Sequence, residues 1–201
     1  MNQESPSIRL LPYPHNLPYD DLLIVVEHMA RISTKIPGHR GEAFVRDRIR
    51  SKNYSVLRHA QIAVEISCSR CVLQELVTHW VGIARTASST RWCNYSNDRF
   101  GSQLSFITPE ALQHDEDFLR LQEQTEKTYL KLLEKGYRTD TAKYALLSSL
   151  KTEIGVTANV EAWRSIIQRR TESCVLEEFR NLMVEVLDVF QQTYPVFFED
   201  L

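Results

Sequence analysis

The sequence predicts an α+β fold in which a small β-sheet packs with several helices in a single domain over residues 1–201. Two patterns support this prediction. A segment near residue 62 has large apolar side chains at every second position, as a half-buried strand does, and the last helix has one apolar stripe at helical spacing. No internal repeat, low-complexity segment or linker divides the chain, so one domain is the simplest interpretation.

The first predicted elements are a strand and two helices. Residues 7–11 are short, apolar and followed by prolines, which favours an opening strand and a turn. Asp20 or Asp21 is expected to cap a helix with one apolar side. After a Pro37-Gly38 break, helical spacing resumes and continues to about Lys52.

A strand and a third helix follow. Ile62, Val64 and Ile66 alternate with other side chains at the period of two that is typical of a strand. Helical spacing returns at Cys71 and predicts that His79 lies near the C-terminal end of a helix.

The second half of the chain is predicted to be mainly helical. A polar stretch from Arg85 to Ser102 leads into a strand over 104–107. Thr108-Pro109 combines a capping hydroxyl with a proline at the first helical position, so it predicts the start of a long helix that Gly136 ends. The remaining predicted elements are a short helix over 141–147, a strand over 151–157 and two helices. The stripe of the last helix consists of Leu176, Phe179, Leu182, Met183, Val186, Leu187 and Phe190.

Composition excludes several classes of protein. With 43% hydrophobic and 25% charged residues, the chain has the proportions of a globular protein. Its net charge of −2 gives no electrostatic footprint for a nucleic acid, and its six glycines form neither a Rossmann fingerprint nor a P-loop. No apolar run is long enough to span a membrane, and the N-terminus lacks a secretory pattern, so the expected location is the cytoplasm.

The four cysteines are expected to be thiols. Cys68 and Cys71 form a lone C-x-x-C at a strand-to-helix junction, a position that resembles a redox dithiol. A zinc site needs four ligands, and no second pair occurs at a matching distance. We therefore expect structural cysteines and no metal.

The most unusual segment runs from Thr78 to Ser96 and is rich in hydroxyl, arginine and tryptophan side chains. Hydroxyl and guanidinium groups bind phosphates and pyrimidine edges by hydrogen bonding, while an indole offers a stacking face. The alternative interpretation is a polar surface loop that is anchored by Trp80 and Trp92. Composition alone leaves both interpretations open.

This segment resembles the signature of the flavin-dependent thymidylate synthases, which is R-H-R, seven residues, and a serine that continues as S-x-R-Y. The corresponding residues here are Thr78-His79-Trp80 and Ser89-Thr90-Arg91-Trp92. Upstream, Ser55-Val56-Leu57-Arg58-His59 is similar to the family's S-V-L-E-H. Downstream, residues 157–159 and 166–171 resemble the second conserved half of the family. The likeness extends over nearly the whole chain in the right order.

The resemblance implies a fold, an activity and partners. In this family, reduced FAD takes part in moving a one-carbon unit from methylenetetrahydrofolate to C5 of dUMP, NADPH reduces the flavin, and FAD bridges the subunits of a homotetramer. No enzyme cysteine attacks the uracil, which agrees with structural thiols here. The implied function is C5 methylation or hydroxymethylation of a pyrimidine nucleotide monophosphate, by a self-associating protein that binds neither nucleic acid nor membrane.

The resemblance also implies roles for individual residues. The residues expected to bind the nucleotide are Ser89, Thr90, Arg91, Lys143 and Arg170, and Lys143 and Ser89 also take the catalytic places. The residues expected to bind the flavin are Ser55, His79, Val81 and Asn159. Signature spacing selects Ser88, whereas the S-x-R-aromatic pattern selects Ser89 with one inserted residue, and we prefer Ser89.

Several departures separate the chain from the family pattern. Thr78 and Trp80 replace both arginines of R-H-R, and Lys143 replaces an arginine that contacts the uracil. The family's flavin-contacting glutamate is Arg58 here, and the arginine of its N-x-R is Glu161. A charge-assisted hydrogen bond contributes about 1.5–3 kcal/mol, so these losses matter for ligand affinity. The alternative function is therefore a catalytically inactive nucleotide-binding homologue that has lost flavin binding.

Overall fold

The structure, a computed structural model, describes residues 1–201 and contains eight α-helices and six β-strands. The helices are α1 (Tyr19–Arg31), α2 (Glu42–Arg50), α3 (Arg70–Leu76), α4 (Glu116–Glu134), α5 (Thr139–Ala142), α6 (Val160–Arg170), α7 (Glu177–Thr193) and α8 (Pro195–Phe198). The strands are β1 (Asn2–Gln3), β2 (Ser7–Leu10), β3 (Gln61–Ser69), β4 (Ile83–Ala87), β5 (Ser105–Phe106) and β6 (Lys151–Asn159). Short 3-10 helices cover Tyr54–His59, Asp98–Phe100, Glu110–Leu112 and Lys143–Ala145. This mixture confirms the α+β class.

The strands form two sheets. One has four strands in the order β2-β3-β6-β4, and the other pairs β1 in parallel with β5, with Asn2 opposite Ser105 and Gln3 opposite Phe106. The predicted strands over 7–11, 61–66 and 151–157 are confirmed as β2, β3 and β6. Because β3 lies between two neighbours, most of its residues are buried, which is more than its alternating pattern predicts.

The most regular helices agree with their sequence patterns. Phe179, Leu182, Met183, Val186 and Phe190 are all buried along α7, as the apolar stripe predicts. Gly136 follows the end of α4 with a φ of +85°, the left-handed conformation that favours glycine after a helix.

Four local predictions were wrong. Thr108-Pro109 begins only a 3-10 turn, because Asp115 caps α4 by accepting a hydrogen bond of 2.8 Å from the Phe118 N–H. Helix α1 begins at Tyr19, so the two aspartates lie in its first turn and do not cap it. Helix α3 ends at Leu76, so His79 lies three residues beyond the helix and not within it. Strand β4, which extends into the polar stretch that begins at Arg85, was not predicted.

The chain divides into two compact units. The first unit comprises Met1–Ser7, Ile66–Thr78 and Thr86–Ile154, and the second comprises Ile8–Glu65, His79–Arg85 and Gly155–Leu201. The single domain over residues 1–201 stays a prediction. The first unit has a core of Leu104, Phe106, Tyr129, Ala142 and Leu150.

The core of the second unit holds α6 firmly. The buried Trp163 donates from its indole N–H to the Ile62 carbonyl over 2.9 Å and packs edge-to-face on Phe190. Arg164 makes two hydrogen bonds of 2.7 Å to the carboxylate of Asp200 near the C-terminus. These contacts fix the helix whose ends position two of the predicted site residues.

Candidate functional site

His79 lies in the loop after α3 and is joined to Arg170, the last residue of α6. The Arg170 Nε–H donates to the His79 Nε2 over 2.9 Å, and the His79 carbonyl accepts a hydrogen bond of 2.5 Å from Arg85. Because Nε2 is an acceptor, the proton of the neutral imidazole lies on Nδ1. The structure thus brings together a residue predicted to bind flavin and a residue predicted to bind nucleotide.

The surroundings of His79 keep it neutral. Burial lowers the pKa of His79, and the positive charges of Arg170, Arg169 and Arg85 lower it further. A neutral imidazole with its proton on Nδ1 can donate one hydrogen bond to a ligand.

The guanidinium of Arg170 is also packed against an aromatic ring. Its central carbon lies 5.1 Å from the centre of the Phe179 ring, a cation–π distance. Contacts with an imidazole and a phenyl ring fix the orientation of this cation.

Asn159 has a structural role at the start of α6. Its side-chain oxygen accepts a hydrogen bond of 2.8 Å from the Ala162 N–H and so caps the helix. Its own N–H donates to the Gly82 carbonyl over 3.0 Å. Gly82 has a φ of +73°, and a Cβ there would lie 2.3 Å from the Asn159 side-chain nitrogen, so only glycine fits.

The residues between His79 and Gly82 face solvent. Trp80 is 73% exposed and Val81 is 67% exposed. Trp80 therefore does not anchor the loop, and Val81, a predicted flavin-binding residue, is accessible to a ligand.

Two departures from the family pattern contact each other. The Arg58 guanidinium makes a two-point ion pair with the Glu161 carboxylate, through Nε to Oε2 and through a terminal nitrogen to Oε1 at 3.2 Å. Sequence comparison counts each as a separate charge reversal, whereas the structure shows two opposite charges that satisfy each other.

Ser55, also predicted to bind flavin, lines a separate cavity of about 630 Å³ in the second unit. Its hydroxyl donates to the Asn53 side-chain oxygen over 3.0 Å. The cavity is lined by Met29, Ala30, Arg31, Ser33, Thr34, Ile36, Arg40, Phe44, Arg48, Asn53, Ser55, Val56 and His59. His79, Val81 and Asn159 are not among these residues, so the predicted flavin-binding residues do not line one cavity.

Sequence reasoning missed the three arginines of this cavity. Arg31, Arg40 and Arg48 come from α1, from the loop before α2 and from α2. The available signal was the concentration of arginines from residue 40 to residue 50, immediately before the predicted Ser55 element.

In the first unit, Ser89 begins a tight turn. Its carbonyl accepts hydrogen bonds from the N–H groups of Trp92 and Cys93 at 3.0 and 2.8 Å, and its hydroxyl accepts one from the Arg91 N–H at 3.3 Å. The adjacent Thr90 is half-buried. The turn is joined to the start of α5, because the Thr139 hydroxyl donates to the Arg91 carbonyl over 2.5 Å.

The same turn presents a cation and an aromatic face to solvent. The Arg91 guanidinium lies 5.2 Å from the centre of the Trp92 ring, and Trp92 is 77% exposed. The interpretation in which both tryptophans anchor a surface loop is therefore wrong.

Ser88, the alternative signature serine, has different surroundings. Its N–H donates to the Glu153 carbonyl over 2.9 Å, and it lines a cavity of about 220 Å³ together with Cys93, Tyr95 and Lys151. The hydroxyl-rich turn thus belongs to Ser89, and Ser88 belongs to the end of the strand.

Lys143, the predicted catalytic and nucleotide-binding cation, lies in the 3-10 helix Lys143–Ala145. It is half-buried, and its ammonium makes no ion pair within the chain. The neighbouring Tyr144 is 87% exposed. A cation without an anionic partner is available to a ligand.

Other kinds of site have little support in the structure. All four cysteines are free thiols, and no group of three or more His, Cys, Asp or Glu side chains is arranged to hold a metal ion. None of the helices has the length and apolar character needed to cross a membrane.

Comparisons with known proteins agree with the sequence signature. The family model described as "Thymidylate synthase complementing protein" matches residues 18–196. The flavin-dependent thymidylate synthase of Campylobacter jejuni is 27% identical over 158 residues, which cover 74% of this chain and 74% of that protein. The enzyme of the same name from Sulfurisphaera tokodaii is 26% identical over 160 residues, which cover 78% of this chain and 60% of that protein.

A solved structure has the same fold. A UMP/dUMP methylase from Streptomyces cacaoi, bound with 5-Br UMP, superimposes with a TM-score of 0.78 and 17% identity. The match covers 99% of this chain and 95% of that one. Because the family model covers most of the sequence, the chain belongs to the thymidylate synthase complementing protein family, as a divergent relative of the flavin-dependent thymidylate synthases.

Proposed function

We propose that the protein is a flavin-dependent enzyme that methylates or hydroxymethylates C5 of a pyrimidine nucleotide monophosphate such as dUMP. The main support is the 2.9 Å hydrogen bond between Arg170 and His79. It joins the residue expected at the nucleotide to the residue expected at the flavin, which is the proximity that transfer between two ligands requires.

The nucleotide would be held by cations and hydroxyls. Arg91 and Lys143 carry positive charges that are suited to a phosphate and to the negative charge that develops on the uracil. Ser89 supplies a hydroxyl, and Trp92 offers an exposed stacking face beside Arg91. Lys143 acts as a point charge and lacks the two-pronged geometry of an arginine, so its hold on the base is weaker.

The flavin would be held by the second unit. The Ser55 cavity is large enough for part of a dinucleotide and combines cationic, hydroxyl and apolar side chains. His79 would donate from Nδ1. Val81 follows it in the same loop, and Asn159 contacts this loop through its hydrogen bond to Gly82. When bound, reduced FAD supplies the electrons that convert a transferred methylene into a methyl group, with methylenetetrahydrofolate as carbon donor and NADPH as reductant.

A second candidate function is favoured by the Arg58–Glu161 pair. Because each of these charges neutralises the other, neither is available to a flavin. The protein would then be a catalytically inactive homologue that binds a pyrimidine nucleotide and no flavin.

The absorption spectrum of the purified protein, before and after addition of FAD, separates the two candidates. An enzyme should take up flavin and transfer labelled carbon from methylenetetrahydrofolate to dUMP or UMP. Nucleotide binding without flavin uptake or transfer would establish the second candidate. Light scattering would test the proposed homotetramer against the 23.4 kDa mass of one chain.

Substitutions test the individual roles. Arg91→Ala and Arg170→Ala should weaken nucleotide binding about 10- to 150-fold, the effect of one charge-assisted hydrogen bond. His79→Ala and Asn159→Ser should weaken flavin binding, and serine retains a capping hydroxyl at α6. Arg120→Ala, on the exposed surface of α4, is the control for a lost charge. If all four variants keep both affinities, the assignment of these residues is wrong.

A further inference from the structure

The cavity that contains Ser55 holds one arginine whose charge nothing in the chain neutralises. Arg31 forms an ion pair with the buried Glu27 at 2.5 Å, and Arg40 pairs with Asp47 at 2.7 Å. Arg48 makes no ion pair. The cavity therefore has an excess positive charge, and that charge is located on Arg48.

The Nε–H of Arg48 is also without an acceptor. This nitrogen is buried and has no hydrogen-bond partner. Buried polar groups in folded proteins nearly always have partners, so this unpaired Nε–H leaves the Arg48 guanidinium with one internal hydrogen bond fewer than is usual.

The position of Arg48 is fixed in advance of binding. Its guanidinium carbon lies 5.2 Å from the centre of the Phe44 ring, against which Arg31 also packs at 5.5 Å. The Arg48 carbonyl accepts a hydrogen bond of 2.9 Å from the Asn53 N–H, and the Asn53 side chain in turn holds the Ser55 hydroxyl. The cation and the hydroxyl are thus connected on one wall.

The rest of the cavity indicates which kind of anion fits. Two apolar side chains are unusually exposed there, Ile36 at 60% and Met29 at 37%, and they offer a surface for a ring. Ser33, Thr34 and Ser55, which carry hydroxyl groups, line the same cavity as these cations. A ligand that combines phosphate groups with an aromatic ring matches this lining better than a bare ion does.

We propose that Arg48 binds a phosphate group of an adenine dinucleotide in this cavity, through the guanidinium charge that no ion pair in the chain neutralises. This inference rests on the proposed function for the identity of the ligand, since FAD and NADPH share the adenosine diphosphate that would occupy the site. Arg48 would then supply part of the positive charge that is lost where Thr78 and Trp80 replace the two arginines of the signature.

The test is calorimetric titration of the full chain with ADP, FAD, NADPH and riboflavin, which lacks phosphate. Arg48→Gln should weaken binding of ADP and of the cognate dinucleotide about 10- to 150-fold and reduce the salt dependence of binding. Arg48→Lys, which keeps the charge, should fall between Gln and the unmodified chain. Arg50→Gln removes an exposed arginine from the same helix, outside the cavity, and should change each affinity less than twofold.

The outcomes separate this inference from the proposed function. Arg48-dependent binding of ADP without any binding of FAD supports the phosphate site and contradicts the flavin-dependent enzyme. A larger loss for NADPH than for FAD supports the site and assigns it to the reductant. The inference is overturned if the folded Arg48→Gln chain binds these ligands as tightly as the unmodified chain, or if the unmodified chain binds none of ADP, FAD and NADPH.

Discussion

Arg58 and Glu161 form a two-point ion pair although 103 positions separate them in the sequence. The family resemblance implies a glutamate at the first position and an arginine at the second, so this chain keeps opposite charges at both places with their signs exchanged. Because the two charges are exchanged together, they still attract each other, and the site loses less than it would from two independent charge reversals. Restoring the family's charges at both positions tests this.

The single variants Arg58→Glu and Glu161→Arg should each destabilise the protein slightly, because each places two like charges together. Arg58 is 60% exposed, so we expect Tm to fall by no more than about 2–4 °C. The double variant should regain the Tm of the unmodified chain, as measured by thermal unfolding.

Flavin affinity is the second measurement for the same variants. If the Arg58–Glu161 ion pair has no role in flavin binding, the double variant will bind FAD as tightly as the unmodified chain does. If the exchanged polarity is what weakens flavin binding, the double variant will bind FAD more tightly. A double variant less stable than both single variants would contradict the pairing.

Gly82→Ala should lower the free energy of unfolding by more than the cost of its left-handed backbone conformation. A left-handed φ costs a non-glycine residue about 1–2 kcal/mol. The new Cβ would also lie 2.3 Å from the Asn159 side chain, and displacing that cap costs about 1 kcal/mol more. We expect a total loss of about 2–3 kcal/mol in urea unfolding.

Gly136→Ala is the matched control for Gly82. Its φ of +85° is also left-handed, but no atom lies within 4 Å of the added Cβ. Gly136→Ala should therefore lose stability only through the conformational cost and should leave flavin affinity unchanged. Gly82→Ala should lower both the stability of the protein and its flavin affinity. Equal losses in the two variants would show that the contact with Asn159 has no energetic importance.

The stability of the protein should depend on the protonation of His79. Burial and three neighbouring arginines lower the pKa of His79 in the folded state, while its pKa in the unfolded chain is about 6.5. Below that pH the unfolded chain binds more protons than the folded chain does, so stability falls as pH decreases through this range. Above it, His79 contributes no pH dependence.

His79→Gln should remove this dependence. Between pH 7.5 and pH 5.5 its Tm should fall by about 2 °C less than that of the unmodified chain, an effect reduced by the partial exposure of the ring. His114→Gln, at an exposed turn, is the control and should behave like the unmodified chain. Identical pH profiles for the His79 variant and the unmodified chain would contradict the depressed pKa.

The sequence predicted correctly those elements that can be recognised from the residues of one continuous segment. The alternation in β3, the stripe of α7 and the glycine after α4 belong to this class. Strand β4 was missed because Arg85 and Thr86 interrupt its short apolar sequence, and because its pairing beside β6 in the sheet is a non-local property. The start of α4 was misplaced because two capping signals lie seven residues apart, at Thr108 and Asp115, and tertiary context selects the second.

The identities of the site residues stay a prediction, and the sequence did not indicate how these residues are arranged. The signature located His79 and the Ser89 turn, and Arg170 was predicted from the second half of the family pattern. The contact between Arg170 and His79 joins residues 91 positions apart, so no sequence spacing indicates it. Arg48 has no place in the signature, and only the shape of the cavity distinguishes it from its neighbour Arg50.

Lys143 offers the most direct way to strengthen the proposed nucleotide site. Its ammonium has no anionic partner in the chain, and the family resemblance implies an arginine at this position. Because a guanidinium can make two parallel hydrogen bonds where an ammonium acts as a point charge, Lys143→Arg should tighten dUMP binding several-fold. Lys143→Met should weaken it about 10- to 150-fold. Lys135→Arg, an exposed change after α4, should have no effect on calorimetric titration with dUMP. If neither change at residue 143 alters the affinity of a chain that binds dUMP, Lys143 does not contact the nucleotide and its partnerless charge has another role.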